Sequence, residues 1–161
     1  MNDQQNRDGV VLDALDIAIL RLLQSDARMS NRDVATAIGV SPTTSLDRMR
    51  RLRTRGVIRG TTLDVDLAAI GRGVQALIAV RIRPPSREVI ESFRDWVSGL
   101  EQTLGVFVTA GNEDFIIHVA VRDNDDLYAF VIDRLTERRE VADVRTSVVY
   151  QHIRNGSVPP A

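Results

Sequence analysis

The chain has no cysteine and no lysine, and among its 161 residues only two histidines, one tryptophan, two tyrosines and four phenylalanines. Without cysteine there is no disulfide, no thiolate nucleophile and no cysteine-based zinc site. Two histidines are too few for a histidine-rich metal centre within one chain, and neither a metal nor a cofactor is expected. No apolar run approaches the ~18–20 residues that a membrane span requires. No N-terminal stretch joins a basic start, an apolar middle and a small-residue cleavage site, so a cytoplasmic location is expected. There is no glycine-rich phosphate loop and no acid/base pair spaced for chemistry. All 21 basic residues are arginine, which genome composition explains more simply than function.

What is present is an uneven distribution of charge. Residues 1–60 hold ten arginines against seven acidic residues, whereas residues 61–161 hold eleven against fifteen. The excess is concentrated in SPTTSLDRMRRLRTRGVIRG, residues 41–60, where Asp47 is the one acid among six arginines. An asymmetry of this kind points to a nucleic-acid-binding part joined to something else.

The pattern predicts five segments: a polar arm over 1–11, a helical domain over 12–60, a wing or linker over 61–72, a second domain over 73–153, and a loose tail over 154–161. In the first domain a helix is expected over 13–25, with Asp13 as N-cap and Asp16 three residues later imitating a capping box. Leu15, Ile19, Leu22 and Leu23 mark its buried stripe. Ser30 caps a helix over 31–38, and Gly39 supplies a left-handed terminator. Ser41 caps a third helix, Pro42 takes its first position, and Gly56 ends it. Val57 and Ile58 then suggest a short hairpin or wing. A short helix, a glycine turn and a capped second helix form the helix-turn-helix pattern, in which the second helix enters the major groove with its N-terminal residues at the base edges. Ser41, Thr43, Thr44, Asp47 and Arg48 stand at that end. With Leu46, Met49 and Leu52 turned inward, the outer face is cationic. Guanidinium groups grip phosphate or guanine through paired hydrogen bonds. Arg48 is therefore assigned to base or phosphate contact, and Arg51, Arg55 and Arg59 to backbone positioning. Asp47 suits a cytosine amino group or a neighbouring arginine. Double-stranded DNA is the expected partner.

After residue 73 the period changes from helical to alternating. GVQALIAVRIR (73–83) reads as a strand stopped by Pro84 and Pro85, and 86–100 as an amphipathic helix. Strands at 103–110 and 114–121 flank the turn GNE. A helix over 124–139 and a strand over 141–153 complete β-α-β-β-α-β, the ferredoxin-like order. The fold class is therefore α+β, a winged helix-turn-helix followed by a ferredoxin-like domain.

Residues 12–60 resemble the N-terminal domain of the Lrp/AsnC, or feast/famine, transcriptional regulators. The matching positions are Leu12-Asp13 with Asp16, Ile19-Leu20, Leu23-Gln24, Asp26, Arg28, Gly39 with Ser41, Arg48, Leu52 and Gly56-Val57-Ile58. The second half resembles the family's effector domain, with Gly111 and Asp114 keeping a Gly-x-x-Asp spacing. Ser45 departs from the pattern by standing where an apolar residue is usual, as do Arg53 in place of Glu and Gly60-Thr61-Thr62 without an aromatic. The resemblance implies a homodimer through the second domain, often assembled into tetramers or octamers. It also implies an amino-acid effector near Gly111, Asn112, Glu113 and Asp114. Gly111 suits close approach of a ligand, Asp114 an α-ammonium group, and Thr146 a carboxylate.

The leading reading is a sequence-specific transcriptional regulator controlled by such an effector. Two others stand beside it: an effector-independent architectural DNA-binding protein, and an enzyme built on a ferredoxin-like domain.

Overall fold

The computed structural model describes residues 11–153 together with 155 and 158. Residues 1–10 of the expected N-terminal arm and most of the expected tail lie outside the described residues. The chain divides into two compact units, one running to Leu63 and taking in the chain from Ile153, the other spanning Asp64–His152.

Unit 1 contains three helices, α1 (Ala14–Ser25), α2 (Asn31–Ile38) and α3 (Pro42–Thr54). Each begins where a side chain satisfies an orphan amide. Asp13 forms a reciprocal capping box with Asp16, Ser30 accepts from Asp33 N, and Ser41 accepts from Thr44 N. Gly39 ends α2 at φ 70°, and the Val40 amide reaches back to Ala35 O at 3.0 Å. Ile19, Leu20, Val34, Met49 and Leu52 form the core, with Leu46, Val57 and Ile58 packed against it.

Two features of this unit bear on its stability, and the first departs from expectation. First, there is no wing: no residue from 57 to 66 lies in a strand. The amides of Val57 and Ile58 both donate to Leu52 O, at 2.9 and 3.1 Å. These β-prone residues close the end of α3 and cover the core, which serves them better than an isolated two-stranded ribbon, marginal by itself in water. Second, Ser45 is completely buried and its Oγ has no hydrogen-bond partner. A buried hydroxyl left unsatisfied costs on the order of 1 kcal/mol or more. Ser45→Ala is therefore expected to stabilise unit 1 by about 1 kcal/mol, read as a higher urea midpoint at unchanged m-value. An unchanged or lower midpoint would count against this account.

Unit 2 runs β1 (Val74–Ile82), α4 (Arg87–Ser98), β2 (Thr103–Val108), β3 (Phe115–Val121), α5 (Asn124–Ala129) and β4 (Val141–Val149). The strands form one antiparallel sheet in the order β2-β3-β1-β4, which the expected ferredoxin-like connectivity produces. The helix expected over 124–139 instead widens after Ala129 into a π-helical stretch, Phe130–Leu135. Thr136 N then donates to Val131 O, five residues back. One face of the sheet carries Ala76, Ile78, Val80, Phe115, Ile117 and Val119, buried with Phe93 and Val97 of α4 and with Leu127, Phe130 and Leu135.

Strand alternation puts the intervening residues on the opposite face. There Leu77 pairs with His118, and both Ala79 and Phe107 pair with Ile116. Phe107 is 59% exposed and Leu77 39%. His118 Nε2 lies 3.0 Å from Gln75 Oε1. No helix of unit 2 covers this face, because α4 and the Asn124–Leu135 segment both pack on the other.

Candidate nucleic-acid interface and effector turn

The 3.6-residue repeat of α3 divides its residues by face. Ser45, Met49 and Leu52 are buried, whereas Thr43, Asp47, Arg50 and Thr54 recur at the spacing of a single outward stripe and are all exposed. Thr44, Arg51 and Arg55 flank that stripe and are also exposed, as are Arg53 and Arg59. Arg50 is the residue the sequence reading passed over. Its side chain is 68% exposed and stands 3.9 Å from Asp47, at the centre of the surface α3 turns to solvent. The spacing 43, 47, 50, 54 was the available signal.

Ser41 and Thr44 are exposed at the start of the helix, but their hydroxyls engage each other at 2.8 Å while Ser41 caps the helix. Asn31 Nδ2 donates to Pro42 O at 2.8 Å, tying this end of α3 to α2.

Arg48 is placed differently from the expectation. Its Nη1 donates to Asp13 Oδ2 at 2.5 Å and to Asp16 Oδ1 at 2.9 Å, and its side chain is 19% exposed. The reason lies in its angular position, at the edge of the buried stripe, where a long side chain can lie back along α1 with its head on the two capping carboxylates. Arg51 Nη2 stands 3.8 Å from Asp16 Oδ2. Asp16 is almost wholly buried. A buried carboxylate requires both charge and hydrogen-bond partners, and here the Asp13 amide and two guanidiniums surround it.

The Arg48 hydrogen bond, followed by the Asp16 amide, holds the Asp13 carboxyl below its ordinary 3.8, and the hydrogen bonds to the Asp13 and Asp16 carboxylates raise Arg48. A carboxylate depressed in the folded state contributes stability above its unfolded value and loses it as pH falls through the folded value. Wild-type unit 1 is therefore expected to lose stability as the pH drops below about 3.8. Subtracting an Asp13→Asn titration isolates the contribution: the two melting curves should converge in acid and separate above it.

In unit 2 the residues Gly111, Asn112, Glu113 and Asp114 do form one turn between β2 and β3. Its acidic groups are already engaged. Asp114 Oδ2 accepts from Ile82 N at 2.7 Å and stands 3.6 Å from Arg83 Nη1. Glu113 pairs with Arg145 of β4, Asn112 O accepts from Arg81 Nε at 2.8 Å, and Thr109 Oγ1 donates to Glu113 O. Asp114 thus builds the turn with one oxygen, whereas the sequence pattern alone offers it to a ligand ammonium. Gly111 adopts φ 154°, and the space a Cβ would occupy there is open. Thr146 is exposed on β4, paired in register with Ile78. A separate cavity of about 720 Å³ is lined by residues that include Arg72, Glu101, Arg122, Asp126 and Phe130, and by none of the turn residues.

Among the described residues no group of histidine, cysteine or acidic side chains is arranged to hold a metal ion. No helix there is long and apolar enough to cross a membrane.

Comparison with known proteins places both units. Residues 12–53 match the AsnC-type helix-turn-helix domain, and residues 75–159 the Lrp/AsnC ligand binding domain. The HTH-type transcriptional regulator AldR of Mycolicibacterium smegmatis is 42% identical over 91% of this chain and 85% of its own length. The leucine-responsive regulatory protein of Escherichia coli K12 is 29% identical over 98% of this chain and 96% of its own. A transcriptional regulator of Neisseria meningitidis solved with L-Met superposes with a TM-score of 0.85 at 28% identity, covering 93% of this chain and 97% of that one. These relatives are regulators, not enzymes.

Proposed function

Because this chain belongs to the Lrp/AsnC family of DNA-binding transcriptional regulators, we propose that unit 1 reads duplex DNA through the outward stripe of α3 and that unit 2 adjusts that reading when a small ligand binds. Thr43, Asp47 and Arg50 face base edges, while Thr44, Arg51, Arg55 and Arg59 hold phosphates. Ser41 contributes as the helix cap. The observation that carries this assignment is the stripe itself: one face of α3 buries Ser45, Met49 and Leu52, and the other is exposed and rich in arginine. The test is equilibrium binding to a duplex selected from random-sequence DNA, followed over a range of salt. Phosphate contacts release counterions, so log K should fall steeply with log salt. Footprints confined to discrete sites support a sequence-specific regulator, whereas uniform coating favours the architectural reading.

The second copy meets the first through the open face of the unit 2 sheet, which carries Leu77, Phe107 and Ile116. A C2 pair of readers would address half-sites about one helical turn apart, or a multiple of it. The ligand is an amino acid held near the Gly111–Asp114 turn. Two observations support that location, the space beside Gly111 and the exposure of Thr146, and the L-Met complex of the meningococcal neighbour supports the choice of an amino acid. Asp114 and Glu113 shape the site from behind. A thermal-shift screen of the twenty amino acids tests this, since a ligand that prefers the native state raises Tm. A flat screen would remove the amino-acid assignment.

A further inference from the structure

We propose that Arg48 is a positioning residue: bridged to Asp13 and Asp16, it fixes the roll and axial position at which α3 is presented to DNA, and it makes no DNA contact itself. The inference rests on the reading of α3 as the DNA-facing helix.

The apolar contacts between α1 and α3 run through Ile19, Leu20, Met49 and Leu52. Such contacts are non-directional, and they hold two helices together more firmly than they define how one is rotated about its axis. Hydrogen bonds supply the direction. Among the described residues two side chains tie α3 to α1 and α2 by hydrogen bonds, Asn31 Nδ2 to Pro42 O near its start and Arg48 Nη1 to the two carboxylates at its middle. The carboxylates cannot drift, because both are committed to the N-terminus of α1. Asp13 Oδ1 accepts from Asp16 N at 2.9 Å, and Asp16 Oδ2 faces Asp13 N at 3.5 Å. The positive end of the α1 dipole favours both charges. Each acid thus caps α1 with one oxygen and holds α3 with the other, so the two helices are registered through a single pair of residues.

The electrostatic sign makes this distinguishable from direct contact. Removing an acid from a DNA-binding domain should strengthen binding if charge alone matters, because one anion fewer opposes the phosphates. The clamp predicts the reverse. Full-length Asp16→Asn and Arg48→Ala should each bind the selected duplex about tenfold or more weakly than the parent, with the slope of log K against log salt unchanged. Loss of a phosphate contact would instead lower that slope by about one. Asp16→Glu, which places the usual capping-box carboxylate at the same position, should recover most of the lost affinity.

Circular dichroism establishes whether each variant keeps its helices. Should Asp16→Asn fail to fold, Asp13→Asn, at the exposed end of the bridge, carries the same prediction with a smaller loss. The clamp is overturned if a folded acid variant binds the duplex as tightly as the parent or more tightly, or if Arg48→Ala flattens the salt slope. A parent chain that binds no duplex overturns both the clamp and the reading of α3. A parent that binds steeply beside an equally tight Asp16→Asn overturns the clamp alone.

Discussion

Replacing Arg51, Arg55 and Arg59 together by alanine is expected to lower affinity for a selected duplex by on the order of a thousandfold at fixed salt. A hydrogen bond to a charged group is worth about 1.5 kcal/mol or more, near tenfold for each arginine. The salt dependence provides the sharper readout. Each phosphate contact contributes roughly −0.9 to the slope of log K against log salt, so the triple variant should be shallower by about three. Folding should be little affected, because all three residues are exposed and the one pairing among them, Arg51 with Asp16, spans 3.8 Å. The buried Asp16 carboxylate keeps its closer partner when Arg51 is removed, the Arg48 hydrogen bond at 2.9 Å. The contrast with Arg48 is diagnostic. Four arginines of one short segment should fall into two classes, three that change the slope and one that changes affinity without it. A triple variant that keeps the parental slope would remove the phosphate assignment.

Whether an arginine faces outward is the kind of fact a linear sequence conceals. Positions 46, 49 and 52 reveal the inward side of α3 by their apolar spacing, and the caps Asp13, Ser30 and Ser41 reveal where the helices begin, because these are local effects acting within one turn. The same spacing marks 43, 47, 50 and 54 as the outward stripe, so Arg50 was legible there. Arg48 was not. It sits at the boundary of the two faces, and what turns it inward is a carboxylate pair 32 to 35 residues earlier. In the sequence those acids read only as helix caps, which they also are. The absent wing has a similar origin. Val57 and Ile58 are β-prone, yet the uncovered end of a three-helix core and the free Leu52 carbonyl offer them a better use. In unit 2 the alternation of β1 and β3 prescribed the sheet and its buried face. The acids of the 111–114 turn suggested a ligand, but the cations that face them are Arg83, just after β1, and Arg145 on β4, and register places these only after the sheet has formed.

The open face of that sheet carries the second large effect. Phe107 projects from β2 with more than half its surface in solvent, beside its cross-strand partner Ile116 and on the same face as Leu77. Contiguous apolar surface of this kind marks an interaction site in a folded chain. In a pair related by a two-fold axis the same patch is used by both copies, so one substitution enters the interface twice. Phe107→Asp is expected to convert the proposed dimer to a monomer, because each buried carboxylate without a partner costs several kcal/mol. The protomer should survive, since the side chain is exposed there and β2 keeps its pairing with β3. Mass measured by light scattering is the first readout, with a fall to the 17.9 kDa of one chain expected. DNA binding is the second. Separated readers lose the effective concentration that linkage provides, which commonly amounts to 10²–10⁴ in avidity, and the salt slope should fall toward half the parental value as one copy's contacts disappear. A variant with the parental mass would mean that the copies meet elsewhere. A monomer that keeps full affinity and slope would mean that one helix-turn-helix unit suffices, and half-site pairing would then have no part in recognition.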